Sequence, residues 1–146
     1  MDREKRREEL LANFGRAPIK KTIGMTLSYN QKDEAVLDFP HNPGFEHGAR
    51  DTHGGIIATM MDTAGWFAAA LLYNTYIVTI EMQMRFHEPA GREHLRVTGR
   101  LLRAGKSFAV AEMECRTSTG RLVATGSGTY AVNTPNFKKY RKEEEP

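Results

Sequence analysis

The sequence predicts an α+β fold in which one antiparallel sheet curls around a single long buried helix. Three observations carry this. Residues 54–73 are apolar nearly all round, with Asp62 as their only charge. The segments on either side alternate polar with apolar residues at strand periodicity. Proline or glycine punctuates the joints, at Pro18, Pro40, Pro89, Gly91, Gly105 and Gly120. A helix apolar on every side must be covered by protein or by lipid, and a curved sheet covers most of it. One sheet cannot cover it all, so assembly is expected to shield the rest, as a homodimer or a tetramer of two dimers.

In chain order, Leu10, Leu11 and Phe14 form the apolar stripe of a short helix over 3–14, and Pro18 marks the break after it. Ile23, Met25, Leu27 and Tyr29 alternate with polar residues as a strand. The turn Gln31-Lys32-Asp33-Glu34 leads to a second strand through Ala35, Leu37 and Phe39, closing a hairpin. Residues 41–53, rich in His, Gly, Asn and Pro, form a loop before the long helix. Four strands come after it. Ile80, Met82, Met84 and Phe86 share one face of the first, and Leu95, Val97 and Leu101 one face of the second. Ala109, Ala111, Met113 and Cys115 line the third, and Leu122, Ala124, Tyr130 and Val132 the fourth.

The length suits one domain over 20–134, preceded by a helix and linker at 1–19 and followed by a charged tail at 135–146. The single cysteine, Cys115, makes no intrachain disulfide and fits a reducing compartment. The N-terminus is charged in both signs with no apolar stretch, so no signal peptide is expected and the cytoplasm is. The net charge of +3 is spread along the chain. The Lys138–Lys142 run, balanced by Glu143, Glu144 and Glu145, reads as a solvated tail. Without a clustered basic face, no nucleic-acid partner is expected. No membrane span is expected either, since Asp62 within the apolar helix would cost about 2.5–3.5 kcal/mol on insertion scales.

The informative segment is Thr52-His53-Gly54-Gly55-Ile56-Ile57-Ala58-Thr59-Met60-Met61-Asp62. Two glycines at the mouth of a buried helix leave its first N–H groups unobstructed. Those orphan donors, at the positive end of the helix dipole, suit a developing negative charge. Asp62 lies two turns further on. A carboxylate among Ile, Met, Ala and Trp has a raised pKa unless it is hydrogen-bonded. Spacing alone leaves open whether it serves chemistry or a structural hydrogen-bond network.

The His-Gly-Gly run with Asp nine residues after His53 resembles the hotdog-fold acyl-CoA thioesterases of the phenylacetate-pathway (PaaI) type. The likeness extends through Thr79-Ile80-Glu81-Met82-Gln83-Met84-Arg85-Phe86 with Pro89, Arg103-Ala104-Gly105-Lys106-Ser107 and Gly120-Arg121-Leu122-Val123-Ala124, across residues 20–132. The resemblance implies a thioester hydrolase that converts an acyl- or aryl-acyl-CoA to the free acid and coenzyme A, without a cofactor. It makes Asp62 the catalytic carboxylate, which activates water or attacks the carbonyl of substrate held by a partner subunit. Gly54, with Gly55 beside it, would bind the carbonyl oxygen through backbone N–H. His53 would sit near the leaving sulfur, and Thr79 would help order the water. Arg103, Gly105, Lys106 and Ser107 would contact the phosphates and pantetheine of coenzyme A.

One position departs from that pattern. Relatives often carry Asn six residues before the motif histidine; here His47 stands there, so His47 or Asn42 is expected to take the role of second polariser. A hotdog hydroxyacyl dehydratase and a non-catalytic acyl-CoA binding protein are the alternatives. His41, His47, Asp51 and His53 match no familiar zinc spacing, so no metal is expected. His87 and His94 read as surface residues, and Cys115 as buried core without a His partner. Trp66, Phe67, Met60 and Met61 either line an acyl tunnel or fill the core.

Overall fold

The computed structural model describes residues 1–132; the tail expected at 135–146, with its Lys138–Lys142 run, lies outside the described residues. Helix α1 spans Arg3–Arg16. Asp2 caps it by accepting from the Glu4 and Lys5 N–H groups, and its stripe buries Leu10 and Phe14. Its other side carries arginines that contact other parts of the fold. The Arg6 guanidinium donates to the Ala70 carbonyl, while Arg3 and Arg7 both pair with Asp33 in the first strand turn.

The strand expected from Ile23 starts later than its alternation implies. Pro18–Ile23 is a short helix, α2, with proline at its first turn and Gly24 closing it at φ 82°. Pro18 therefore starts an element rather than only breaking one. Strand β1 is Thr26–Tyr29, and it pairs antiparallel with β2, Ala35–Phe39. After the loop come α3 (Gly54–Ala70), β3 (Val78–Phe86), β4 (Leu95–Ala104), β5 (Phe108–Thr117) and β6 (Leu122–Ala131). They complete a six-stranded antiparallel sheet in the order β1-β2-β4-β5-β6-β3, leaving β1 and β3 at the edges.

The expected wrap of sheet around helix is present. Met60, Met61, Ala64 and Ala68 of α3 pack with Leu37, Phe39, Leu95, Val97, Ala111 and Tyr130 in one core. The helix approaches so closely that a Cβ on Gly99 would lie 2.3 Å from the Ala64 carbonyl oxygen, which only glycine allows. Cys115 is fully buried, and burial pushes its thiol up to about 12, as suits a core residue.

As expected of a single sheet, part of the helix is left uncovered: Gly55 is exposed, and Thr59, Asp62, Thr63 and Trp66 are half-buried along one face. At spacings of four, three and four residues, Gly55, Thr59, Asp62 and Trp66 form a stripe that the chain's own sheet leaves partly open. One expectation needs correction: Ile80 and Phe86 are more than half exposed rather than core. Between Thr79 and Glu81 the β3–β6 register shifts, so Ile80 is an extra residue that turns outward.

Candidate active site

That bulge builds the first part of the site. Thr79 pairs with Tyr130 and Met82 with Gly128. The extra residue between them lets Thr79 and Met82 share the helix-facing side of β3, which strict alternation would forbid. The Thr79 Oγ1 hydroxyl then donates to Asp62 Oδ1 at 2.9 Å. Asp62 Oδ2 has no protein partner among the described residues. The carboxylate is therefore hydrogen-bonded and half-open, not sealed in apolar surroundings.

The second part is the mouth of α3. His53 is its N-cap: the ring Nδ1 accepts from the Gly55 N–H at 2.8 Å, so the neutral ring carries its proton on Nε2. Ile56 and Ile57 donate to the His53 carbonyl. The Gly54 N–H has no acceptor among the described residues. The Phe86 ring lies over it, and a Cβ at Gly54 would sit 3.2 Å from that ring. The opposite end of α3 is closed, since the Phe67 carbonyl accepts from Tyr29 and the Ala70 carbonyl from Arg6. Only the positive end of the helix is left with an open donor.

A cleft of about 330 Å³ opens beside Gly54, lined by His47, Asp51, Ile57 and Phe86 among others. The loop that forms it is anchored rather than loose. Glu46, nearly buried, pairs with His41, Arg50 and Arg92, and the Phe45 carbonyl accepts from the His53 N–H. His47 is brought to the cleft, its ring 6.4 Å from that of His53. Its Nδ1 accepts from the Ala49 N–H, which leaves the proton on Nε2, 3.9 Å from Asp51 Oδ2. The Asn42 side-chain oxygen caps the Pro43–Phe45 turn by accepting from the Gly44 N–H. Among the described residues no three His, Cys, Asp or Glu side chains converge as a metal set. In the sequence Asp51 stands out only as a candidate metal ligand. Its place beside His47 comes from the Glu46–Thr52 bridge, a pairing with no signature of its own.

The third part is the β4–β5 turn. Arg103, Gly105, Lys106 and Ser107 come together around a cleft of about 460 Å³ with exposed Phe108. The Tyr73 hydroxyl donates to the Gly105 carbonyl, which fixes this turn at the closed end of α3.

The three parts do not meet within one chain. Gly54 and Asp62 are eight helical residues apart, about 12 Å along the axis at 1.5 Å per residue. The cationic turn lies beyond the far end of the same helix. A carbonyl held by Gly54 is out of reach of Asp62 in its own chain.

Residues 50–124 match the family model of the thioesterase superfamily. The chain is 30% identical over 103 residues to a protein of Saccharolobus solfataricus named "Putative esterase SSO2140", covering 70% of this chain and 74% of that one. It is 27% identical over 132 residues to the medium/long-chain acyl-CoA thioesterase YigI of Escherichia coli, covering 79% and 85%. The structure superposes on the Escherichia coli PaaI protein from the phenylacetic acid degradation operon with a TM-score of 0.80 and 20% identity, covering 88% of this chain and 93% of that chain. The sheet wrapped around α3 is thus the hotdog fold. No helix among the described residues is long and apolar enough to cross a membrane.

Proposed function

The chain belongs to the thioesterase superfamily, and from that premise we propose that it hydrolyses acyl- or aryl-acyl-CoA thioesters at sites shared between two subunits. Water and thioester give the carboxylic acid and free coenzyme A. Asp62 takes the proton from the attacking water, which Thr79 helps to place. The Gly54 N–H of the partner subunit holds the carbonyl oxygen as it becomes an oxyanion, with Gly55 keeping the approach clear. His53, whose Nε2–H is free of the cap, faces the leaving sulfur, and His47 supplies a second donor from the cleft wall. Arg103, Gly105, Lys106 and Ser107 take the phosphates and pantetheine.

The observation that carries this reading is the 12 Å separation, about two helical turns, between an open N–H and a half-open carboxylate on one helix. Two helices running antiparallel across a two-fold axis bring each donor to the other chain's Asp62. The exposed Ile80 and Phe86 on edge strand β3 offer apolar surface for that pairing. A tetramer of two such dimers uses the same sites. A buried free cysteine and a coenzyme A substrate both fit the cytoplasm.

Thiol release from a panel of acyl-CoA esters tests the activity, with sedimentation to test the assembly. A folded monomer at micromolar concentration would remove the shared site. Alkene formation from a 3-hydroxyacyl-CoA without thiol release would favour the dehydratase. Tight binding with neither reaction would favour the acyl-CoA binding protein.

A further inference from the structure

The open stripe of α3 is not uniform on the two sides of Asp62. Toward the mouth it presents Gly55 and Thr59, small residues, and the Thr59 hydroxyl is bonded back to the Gly55 carbonyl. One turn past Asp62, on the same face, stands Trp66. Its indole N–H donates to the Ile77 carbonyl at 2.8 Å. Its ring meets Phe67 edge-on at 4.9 Å and Tyr76 at 5.6 Å. The bonds Trp66–Ile77 and Asp62–Thr79 run side by side from α3 to the same stretch of chain, so indole and carboxylate are fixed relative to each other. Met60 and Met61, candidates for tunnel lining on sequence grounds, are fully buried in the core and cannot meet a substrate.

We propose that Trp66 is the residue that reads the acyl group, selecting flat or compact acyl chains over long ones. The inference rests on the thioesterase reading above. Residues one turn apart on a helix face have Cβ atoms about 5–6 Å apart, so an acyl group attached to a carbonyl at Asp62 meets the indole within its first few carbons. The apolar part of the substrate goes to the aromatic side rather than toward Thr59 and the helix mouth. A ring held by a hydrogen bond and two aromatic neighbours does not swing aside as a methionine would. A planar acyl group lies against it, whereas an extended alkyl chain must bend round it.

The test uses wild type, Trp66→Phe and Trp66→Ala with benzoyl-, phenylacetyl-, butyryl-, decanoyl- and palmitoyl-CoA. The expected result is that Trp66→Ala lowers kcat/KM for the aryl esters about tenfold and raises it for the two long chains, with Trp66→Phe between. Equal losses across the panel in both variants would overturn the proposal. A second readout needs no turnover. Trp66 is the chain's only tryptophan, so its emission should shift on binding an aryl thioether analogue of coenzyme A and stay constant with coenzyme A alone. Emission that shifts in a protein inactive on every ester would keep the acyl subsite and remove the hydrolase reading. Binding of the analogue with unchanged emission, or no binding at all, would overturn the proposal.

Discussion

Thr79 reaches Asp62 across 2.9 Å because the next residue, Ile80, is bulged out of the β3–β6 ladder. The hydrogen bond occupies one carboxylate oxygen and leaves the other for water. Asp62→Asn preserves the shape and removes the base, and should cut turnover by about two to four orders of magnitude. Thr79→Val should fall less, by about tenfold, with Thr79→Ser near wild type. Steady-state thiol release measures all three; a fully active Asp62→Asn enzyme would take the base role from this residue.

The Gly54 N–H can be deleted almost alone. Gly54 is the first residue of α3, where proline is tolerated, and His53 before it is extended at ψ 133°, as a residue preceding proline must be. Gly54→Pro should fold normally once the exposed Phe86 ring yields a few tenths of an ångström. It should lose about 10²–10³ in kcat with little change in substrate binding. Matched circular dichroism and kinetics separate a lost donor from a lost fold.

The Tyr130 hydroxyl is buried without a partner among the described residues, wedged against Gly65 and Gly128. Burial, with the nearby Asp62 charge adding to it, pushes its ionisation above the ordinary phenol range, so it stays neutral. Removing an unpaired buried hydroxyl should be harmless or favourable, so Tyr130→Phe should raise stability by up to about 1 kcal/mol. Gly65→Ala should cost about 1–3 kcal/mol, because its Cβ would run into that hydroxyl. Combining the two should recover part of the loss, read from urea midpoints of the four proteins.

Asp38 on β2 sets an acid limit. Burial works to raise its pKa, but hydrogen bonds and charge from Arg96 and His94 outweigh it and hold the carboxyl below its ordinary value. A carboxyl depressed in the folded state contributes stability that is fully present above its unfolded pKa, near 4, and is lost as pH falls through the lower folded value. Asp38→Asn should therefore cost ~0.5–1 kcal/mol at neutral pH and nothing in strong acid. Melting temperatures of the two proteins should converge in acid, once Asp38 is protonated in the folded state as well.

Much of this was legible in the residues. The buried helix, the order of elements along the chain and the His53-Gly54-Gly55 to Asp62 spacing arise from periodicity and from what a helix mouth can offer a charge. The misses have physical causes. A bulge is a property of two paired strands, so the alternation through Ile80 and Phe86 could not reveal it. Ile23 kept strand rhythm by coincidence while Pro18 and Gly24 built a helix around it. That the sheet leaves part of α3 open was expected, but not which residues line the opening, because alanine, threonine and glycine suit core and cleft alike.

The spacing of Gly54 and Asp62 on one rigid helix also governs how damaged chains behave in company. On the shared site proposed above, a chain spoiled at one end still lends its good end to a partner. Preparations of Asp62→Asn and Gly54→Pro, each inactive alone, should revive when unfolded together and refolded. With random pairing, half the dimers are hybrids with one sound site apiece, so roughly a quarter of wild-type activity returns. For the same reason either variant, mixed with the normal chain, silences one site of every hybrid it enters and spares the other. The loss then tracks the dose of damaged chain instead of exceeding it.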